Sequence, residues 1–554
     1  MLGAFLELLL PLILAYIVDT LVPIGEISRI VLWGGVMILA SIGAWVTNIA
    51  ANRMASWVSA QTVREIRHDL FVRIMNLSAR QVDNFTVPSL ESRLTTDTYN
   101  LHRFIGSVQR LGVRAPMLFL GGIIFCFIQE WRLALILLLL LPPIAVLLLY
   151  ISKNSSPRFR QLQRNIDQMV RVVRENIQGI RVIKSLDKVE FEKEHFAESN
   201  LEVAESERDA NLFMSITNPA IDLILNTGLA LVLIIGGIMV YNGQTMPGVI
   251  IAFLSYFIQI TNALMSLNRM LVIYNRSAAS AERIEEVLDS PEAKEQKILP
   301  FTEELQKAAE DSEYAVEFDN VTFTFGGEPA LKDISFRLKE GHSLGIIGAT
   351  GSGKSTLINL LLRHYDVSSG QIRLNGRPLK TIPLNELHQK FGIVYQNDFL
   401  YADTVRNNID FGRDFTDEQL IDAAENAQAL EFINEKEGGL DFRLEQKGVN
   451  LSGGQKQRVL LSRAMSGDPE ILILDDSSSA LDFATDARLR RALADNYTDT
   501  TTIIVAQRIS AIQHCEHILF LADGEEIGYG THEELLQSSR LYREIAEQQM
   551  GGIA

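Results

Sequence analysis

The stretch from Leu451 to Asp482, LSGGQKQRVLLSRAMSGDPEILILDDSSSALD, leaves little freedom in what this chain can fold into. Its first five residues open a helical run. Ser452, Gly453 and Gly454 leave a hydroxyl and backbone N–H groups free at a positive helix end, where phosphate oxygens can approach closely. Its later part, Ile471 to Leu474, is an apolar β-run ending on Asp475 and Asp476, which predicts carboxylates at the carboxyl edge of a buried strand. Upstream, Gly348-Ala349-Thr350-Gly351-Ser352-Gly353-Lys354-Ser355 fits the phosphate-loop pattern G-x-x-x-x-G-K-[ST]. It follows a strand-like run, Ser343 to Ile347, and precedes a helical one, Thr356 to Arg363, which is the context the pattern requires. A lone phosphate-loop match can arise by chance, but the three features in this order do not.

Together these residues resemble the nucleotide-binding domain of an ATP-binding cassette (ABC) transporter, and the resemblance implies ATP and Mg²⁺. Residues Gly348 and Thr350, Gly351, Ser352, Gly353, Lys354, Ser355 and Thr356 are expected to cradle the phosphates, with Lys354 adding a point charge. Ser355, Gln396 and Asp475 are the expected Mg²⁺ contacts, and Gln396 also reaches the attacking water. Phe325 matches the family's adenine-stacking aromatic, usually Tyr; it keeps the ring and loses the hydroxyl. Ser452, Gly453, Gly454 and Gln455 form the signature loop, which in this family faces the nucleotide of the opposite cassette. Ser479 to Asp482 match the loop that crosses between the two cassettes. Gln446, in Leu444-Glu445-Gln446-Lys447-Gly448, stands where the family usually has Glu.

Two departures fall in the catalytic set, which the resemblance assigns to Asp476, Gln507 and Gln396. The family usually places Glu directly after the strand-end aspartate, and this chain has Asp476. The family usually has His where Ala506-Gln507-Arg508 places Gln507. Asp is one methylene shorter, roughly 1.5 Å of reach. A misplacement of about 1 Å can cost on the order of 100-fold in rate. An amide can donate a hydrogen bond to a phosphate, but it carries no positive charge and shuttles no proton. With LSGGQ intact, the expectation is a degenerate site paired with an active one in a heterodimer. This chain would hold ATP at its own slow site and lend its signature loop to the partner. A homodimeric exporter and an ATP-binding regulatory or gating subunit remain the alternatives.

The rest of the chain is membrane-like. Of its 554 residues 47% are hydrophobic, and apolar runs recur at Leu2–Val18, Ile30–Ala50, Val113–Gln129, Leu133–Ile151, Ile221–Tyr241 and Val249–Leu267. Each approaches the roughly 20 residues needed to cross a bilayer. The first run is the shortest, and the expectation is that the start of the chain is missing or trimmed. The outer connections, Asp19–Ser28, Glu130–Arg132 and Asn242–Pro247, are short and poor in Lys and Arg. The inner ones, Ala51–Gly112 and Ser152–Ala220, are long and basic, so both termini and the cassette are placed in the cytosol. Breaks near 83–90 and 186–196 resemble the coupling helices of exporter-type (type IV) ABC transporters. Glu7, Asn48, Asp222, Asn226, Gln259 and Asn262 are polar groups that must face a cavity or a partner helix. Pro11 and the Pro142-Pro143 pair are candidate kinks.

The expected architecture is therefore a six-helix transmembrane domain (1–276), a linker (277–312) and an α/β P-loop ABC nucleotide-binding domain (313–554). A net charge of −17 argues against nucleic acid as a partner. The two cysteines, Cys126 and Cys515, supply neither a disulfide framework nor a metal site. The implied protein is a multi-pass subunit of a cell-membrane exporter, multidrug-like, working by alternating access. Its partners are a second half-transporter chain, the lipid bilayer and an exported small molecule, lipid or peptide.

Overall fold

The structure is a computed structural model that describes residues 1–291, 298–310, 312–477 and 479–550. It divides into two compact units, one of residues 1–72 with 88–289 and one of residues 73–87 with 290–554. Among the described residues six helical stretches are long and apolar enough to cross a membrane.

In the first unit, α1 (Leu2–Tyr16) passes through a π-turn at Ile17–Leu21 and stays helical to Ile24. The first outer connection thus shrinks to Gly25 and Glu26, shorter than the Asp19–Ser28 loop expected, because the helix runs on through Pro23 and ends only at Gly25, whose φ of 74° is left-handed. The 49-residue α2 (Ile27–Met75) follows, then a short α3 (Ala79–Phe85) and α4 (Val87–Ser92). Helix α5 (Thr98–Gln129) hairpins onto α6 (Trp131–Gln178) at Glu130. The second inner turn is α7 (Ile180–Ser185), followed by α8 (Val189–Ser215), α9 (Thr217–Tyr241) and α10 (Pro247–Leu288). The second break spans Gly179–Lys188, and its non-helical residues Leu186–Lys188 fall at the start of the expected 186–196. Gly179 ends one helix, Asp187 takes a left-handed φ of 53°, and Val189 onward is unbroken. The first break falls at Thr86, inside the expected 83–90.

The core of this unit joins α1, α5, α6, α9 and α10 around Leu8, Leu133, Val232, Phe253, Tyr256 and Ile260. Helix α2 contributes only a narrow stripe of buried residues, Ala44, Ala55, Ser59, Val63 and Leu70. Below the apolar spans, Asp97 is buried against α10, where it accepts hydrogen bonds from Arg283 and Ser280. Arg93 donates to the Arg283 carbonyl and to Glu286. These contacts bind the inner extension of α5 to that of the last membrane helix.

The second unit is built on a ten-stranded sheet. Its strands are β1 (Tyr314–Thr324), β2 (Pro329–Lys339), β3 (Ser343–Gly348), β4 (Ser369–Leu374) and β5 (Arg377–Pro378), then β6 (Phe391–Val394), β7 (Ile471–Asp475), β8 (Thr501–Ala506), β9 (His517–Ala522) and β10 (Glu525–Gly530). They run in the order β5-β4-β1-β2-β10-β9-β3-β8-β7-β6. Strands β9, β3, β8, β7 and β6 are parallel, and β7 is buried along its whole length, as its unbroken apolar run requires. The unit also contains α3, which opens on a capping box between Ser78 and Gln81.

Candidate functional site: a phosphate-binding cavity at one sheet edge

Register puts the chemistry together. Ile347 of β3 lies opposite Ala506 of β8, and Asp475 of β7 lies opposite Val505. Val394 of β6 lies opposite Leu474. The parallel strands therefore end level, and the residues just beyond them gather where ligands of open α/β sheets bind. The resulting cavity of about 460 Å³ is lined by Thr350, Gly351, Gly353, Lys354, Ser355 and Thr356 from the phosphate loop. Gln396, Asp475, Asp476 and Gln507 also line it.

The loop is shaped for close approach. Gly351 and Gly353 have φ of 86° and 98°, and a Cβ at Gly353 would lie 2.5 Å from Leu331. Helix α11 (Lys354–Leu361) starts here, so its first N–H groups face the cavity end of the loop. Lys354 folds back and donates from Nζ to the carbonyls of Gly348 and Ala349, each at 2.8 Å. Burial pulls its pKa below the ordinary lysine value, against the opposing pull of Asp475 and Asp476. Ser352 is 2% exposed, and its hydroxyl meets no hydrogen-bond partner among the described residues. Its Oγ lies beside Gly348, too close for a Cβ to stand there, and Ser352 is not among the residues that line the cavity.

Asp475 is buried, which raises its pKa; Asp476 adds to the rise, while Lys354 and the Ser355 hydroxyl oppose it. The Asp475 and Asp476 carboxylates and the Ser355 hydroxyl are hard oxygen donors of the kind that Mg²⁺ takes. Asp476 has a left-handed φ of 51°, and its N–H donates to the Val505 carbonyl at 2.9 Å. Its own carbonyl accepts from the Ser479 hydroxyl at 2.9 Å. Gln507 is exposed at the end of β8, with its carbonyl accepting from Gln549.

Other expected site residues lie elsewhere. Phe325 is 57% exposed and stands edge-on to Phe323 and Tyr365, at 4.8 and 5.4 Å between centroids. It lines a separate cavity shared with Ser78 and Arg80. Ser452 caps α12 (Gly453–Met465) through a capping box with Gln455, and neither they nor Gly453 and Gly454 line the phosphate cavity. Phe483, just after Leu481 and Asp482, is 85% exposed. Pro329, Ala330, Asp523 and Gly524 line the phosphate cavity without having been foreseen. The only sequence signal was the turn dipeptide Asp523-Gly524, which marks a hairpin rather than a site.

A phosphate loop, a strand-end aspartate and a separate signature helix define a P-loop nucleotide-binding cassette, joined here to six membrane-crossing helices. The family model described as ABC transporter transmembrane region matches residues 1–264, and the one described as ABC transporter matches residues 331–479. An uncharacterized ABC transporter ATP-binding protein of Bacillus subtilis, YfiB, is 34% identical over 552 residues, covering 98% of this chain and 94% of its own. The ATP-dependent lipid A-core flippase of Escherichia coli is 30% identical over 521 residues, covering 93% of this chain and 88% of the flippase. A bacterial Atm1-family ABC exporter solved with ATP bound has the same fold at a TM-score of 0.79 and 22% identity, covering 100% of this chain and 98% of that one. The chain belongs to the ABC transporter family. It is a multi-pass membrane protein of exporter-type fold, with its ATP-binding domain on the cytosolic side.

Proposed function

We propose that this chain is one half of an ATP-driven exporter in which its own ATP site turns over slowly and its signature loop completes a faster site on a second half-transporter. The reading rests above all on one observation. Asp476 and Gln507 line the same cavity as Lys354, while Ser452 to Gln455 lie outside it on the same chain. Within its own cavity the chain offers the glycine loop and Lys354 to bind phosphates. It lacks a carboxylate of full glutamate reach and a histidine.

Ser355, Asp475 and Gln396 are the residues that would hold Mg²⁺, which when bound neutralises charge developing on the phosphates. Asp476 can orient a water, but from about 1.5 Å further back than Glu would. Gln507 can donate to a phosphate oxygen without carrying charge. Binding therefore survives and hydrolysis is slow. The large exposed apolar side chains of α2 and the exposed Phe483 beside the crossing loop both support a second half as the partner. The 30% identity to a lipid A-core flippase supports an amphipathic cargo.

The test compares ATPase rates of the purified chain alone and co-expressed with the half-transporter encoded next to it. The expected outcome is low turnover alone and a large rise on pairing. Brisk hydrolysis by the chain alone, as a symmetric pair, would reject the division of labour and leave a homodimeric exporter.

A further inference from the structure

The backbone around Gln507 is held by a side chain from a much later helix. Strand β8 ends at Ala506, and the single turn α13 (Ile509–Ile512) begins at Ile509. Between them Arg508 is extended, with φ of −112° and ψ of 131°. An extended residue aims the carbonyl before it and the N–H after it to one side, as in a parallel ladder. Here both groups meet Gln549. It donates from Nε2 to the Gln507 carbonyl at 3.1 Å and accepts on Oε1 from the Ile509 N–H at 2.8 Å. Its amide stands where the peptide of a neighbouring strand would.

Gln549 lies on α14 (Arg540–Met550). Tyr542, Ile545, Ala546 and Gln549 follow one another at the i, i+3, i+4, i+7 spacing of one helix face. Tyr542 and Ala546 are buried and Ile545 half-buried, packed in one cluster with Ile347, Ala506 and Ile509. Ile347 leads into the phosphate loop and Ala506 into Gln507. The helix therefore rests on two of the strand ends that carry the site, and its apolar stripe ends on a polar residue bonded to their backbone.

We propose that Gln549 is a positioning residue for ATP hydrolysis: its two hydrogen bonds fix the backbone from which the Gln507 amide reaches the phosphate. This rests on the reading of Gln507 as a group that meets the nucleotide. The physical case is one of reach. Gln507 is exposed where it lines the phosphate cavity, so its backbone, rather than packing, sets where the amide begins. A shift of about 1 Å in such a group can cost on the order of 100-fold in rate. A primary amide offers the donor and the acceptor that this stretch needs. Glu at 549 would accept from Ile509 but would face the Gln507 carbonyl with a charge and no donor. Met would keep the length and make neither bond.

The test measures single-turnover ATP hydrolysis and ATP affinity at the Lys354 site of the full-length transporter in nanodiscs, with any partner's phosphate-loop lysine removed. Gln549→Glu and Gln549→Met should each slow hydrolysis at least about tenfold while ATP affinity holds. Glu and Met are good helix formers, so α14 survives both changes. In a Gln507→Ala background, itself slower, neither change should slow hydrolysis further, because the group being positioned is gone. A penalty that persists undiminished there would overturn the proposal, since the effect would then be a general loosening of the fold. Unaltered hydrolysis by both Gln549 variants, with Gln507→Ala slow, would overturn it and leave Gln507 in its role. Unaltered hydrolysis by Gln507→Ala would reject the reading of Gln507 itself, and this proposal with it.

Discussion

Asp476 leaves the backbone at a fixed point, because its N–H is held by the Val505 carbonyl and its φ is in the left-handed region. Asp tolerates that region better than most side chains, so the short acid is well accommodated where it stands. Replacing it with Glu, together with Gln507→His, supplies the missing reach and the missing charge. The expected result is a rise of roughly 100-fold in single-turnover hydrolysis at the Lys354 site. It would be measured in the assembled transporter with the partner's phosphate-loop lysine removed. An unchanged rate would sink the geometric argument. At this scale most of the cavity was legible, since its residues sit at fixed offsets in strand–loop–helix motifs. Pro329, Ala330, Asp523 and Gly524 were not, because they reach the cavity through nonlocal pairing. The Lys332 N–H donates to the Gly524 carbonyl, bringing together two turns that no local pattern connects.

Helix α3 belongs to the ATP-binding unit although its sequence lies in the membrane half. The side chains of Arg73 and Gln81 donate to the carbonyls of Ser290 and Pro291, and Tyr365 donates from its hydroxyl to Asp83. Tyr365 also packs edge-on against Phe325, so one residue touches both the aromatic expected to stack on adenine and the inner turn of the membrane half. Removing its hydroxyl by Tyr365→Phe deletes a hydrogen bond to a charged group, about 1.5 kcal/mol. The expected outcome is a roughly tenfold loss of substrate-stimulated over basal ATPase, with nucleotide affinity unchanged. A variant whose stimulation is intact would remove Tyr365 from the coupling route.

His364, next to it, lies with Nε2 3.0 Å from the Tyr395 hydroxyl, directly before Gln396. Burial, and then His388, hold the His364 pKa below its ordinary value. Because the folded ring resists the proton that the unfolded chain accepts, this residue costs nothing above the ordinary histidine pKa and destabilises the fold as pH falls below it. His364→Phe should therefore flatten the fall in thermal stability of the full chain between pH 7.5 and 5.5. A slope equal to that of the unaltered protein would exclude His364 as its source. Neither contact was legible in the sequence, for both depend on side chains from separate elements meeting over the sheet.

At the scale of the whole chain, α2 presents the unresolved demand. Its buried residues 55, 59, 63 and 70 recur at helical spacing and form one narrow face. Lipid can cover Val31, Leu32 and Leu39, which lie in its apolar run. Trp57, 70% exposed, and Met54 and Phe71 lie beyond the end of that run. The hydrophobic lengths in the sequence revealed six crossings, but not that one crossing would find so little of its own chain to pack on. Length reports on the bilayer, whereas packing depends on which helices become neighbours. A large aromatic exposed to water on a rigid helix is the kind of residue that anchors an interface, where truncation commonly costs about 2 kcal/mol or more. Trp57→Glu should therefore leave ATP binding at the Lys354 site intact while lowering co-purification with the second half-transporter by at least about tenfold. Tagging the other half and quantifying this chain in the eluate measures it. If the variant pairs as well as the unaltered chain, the exposed face of α2 is not where the two halves meet.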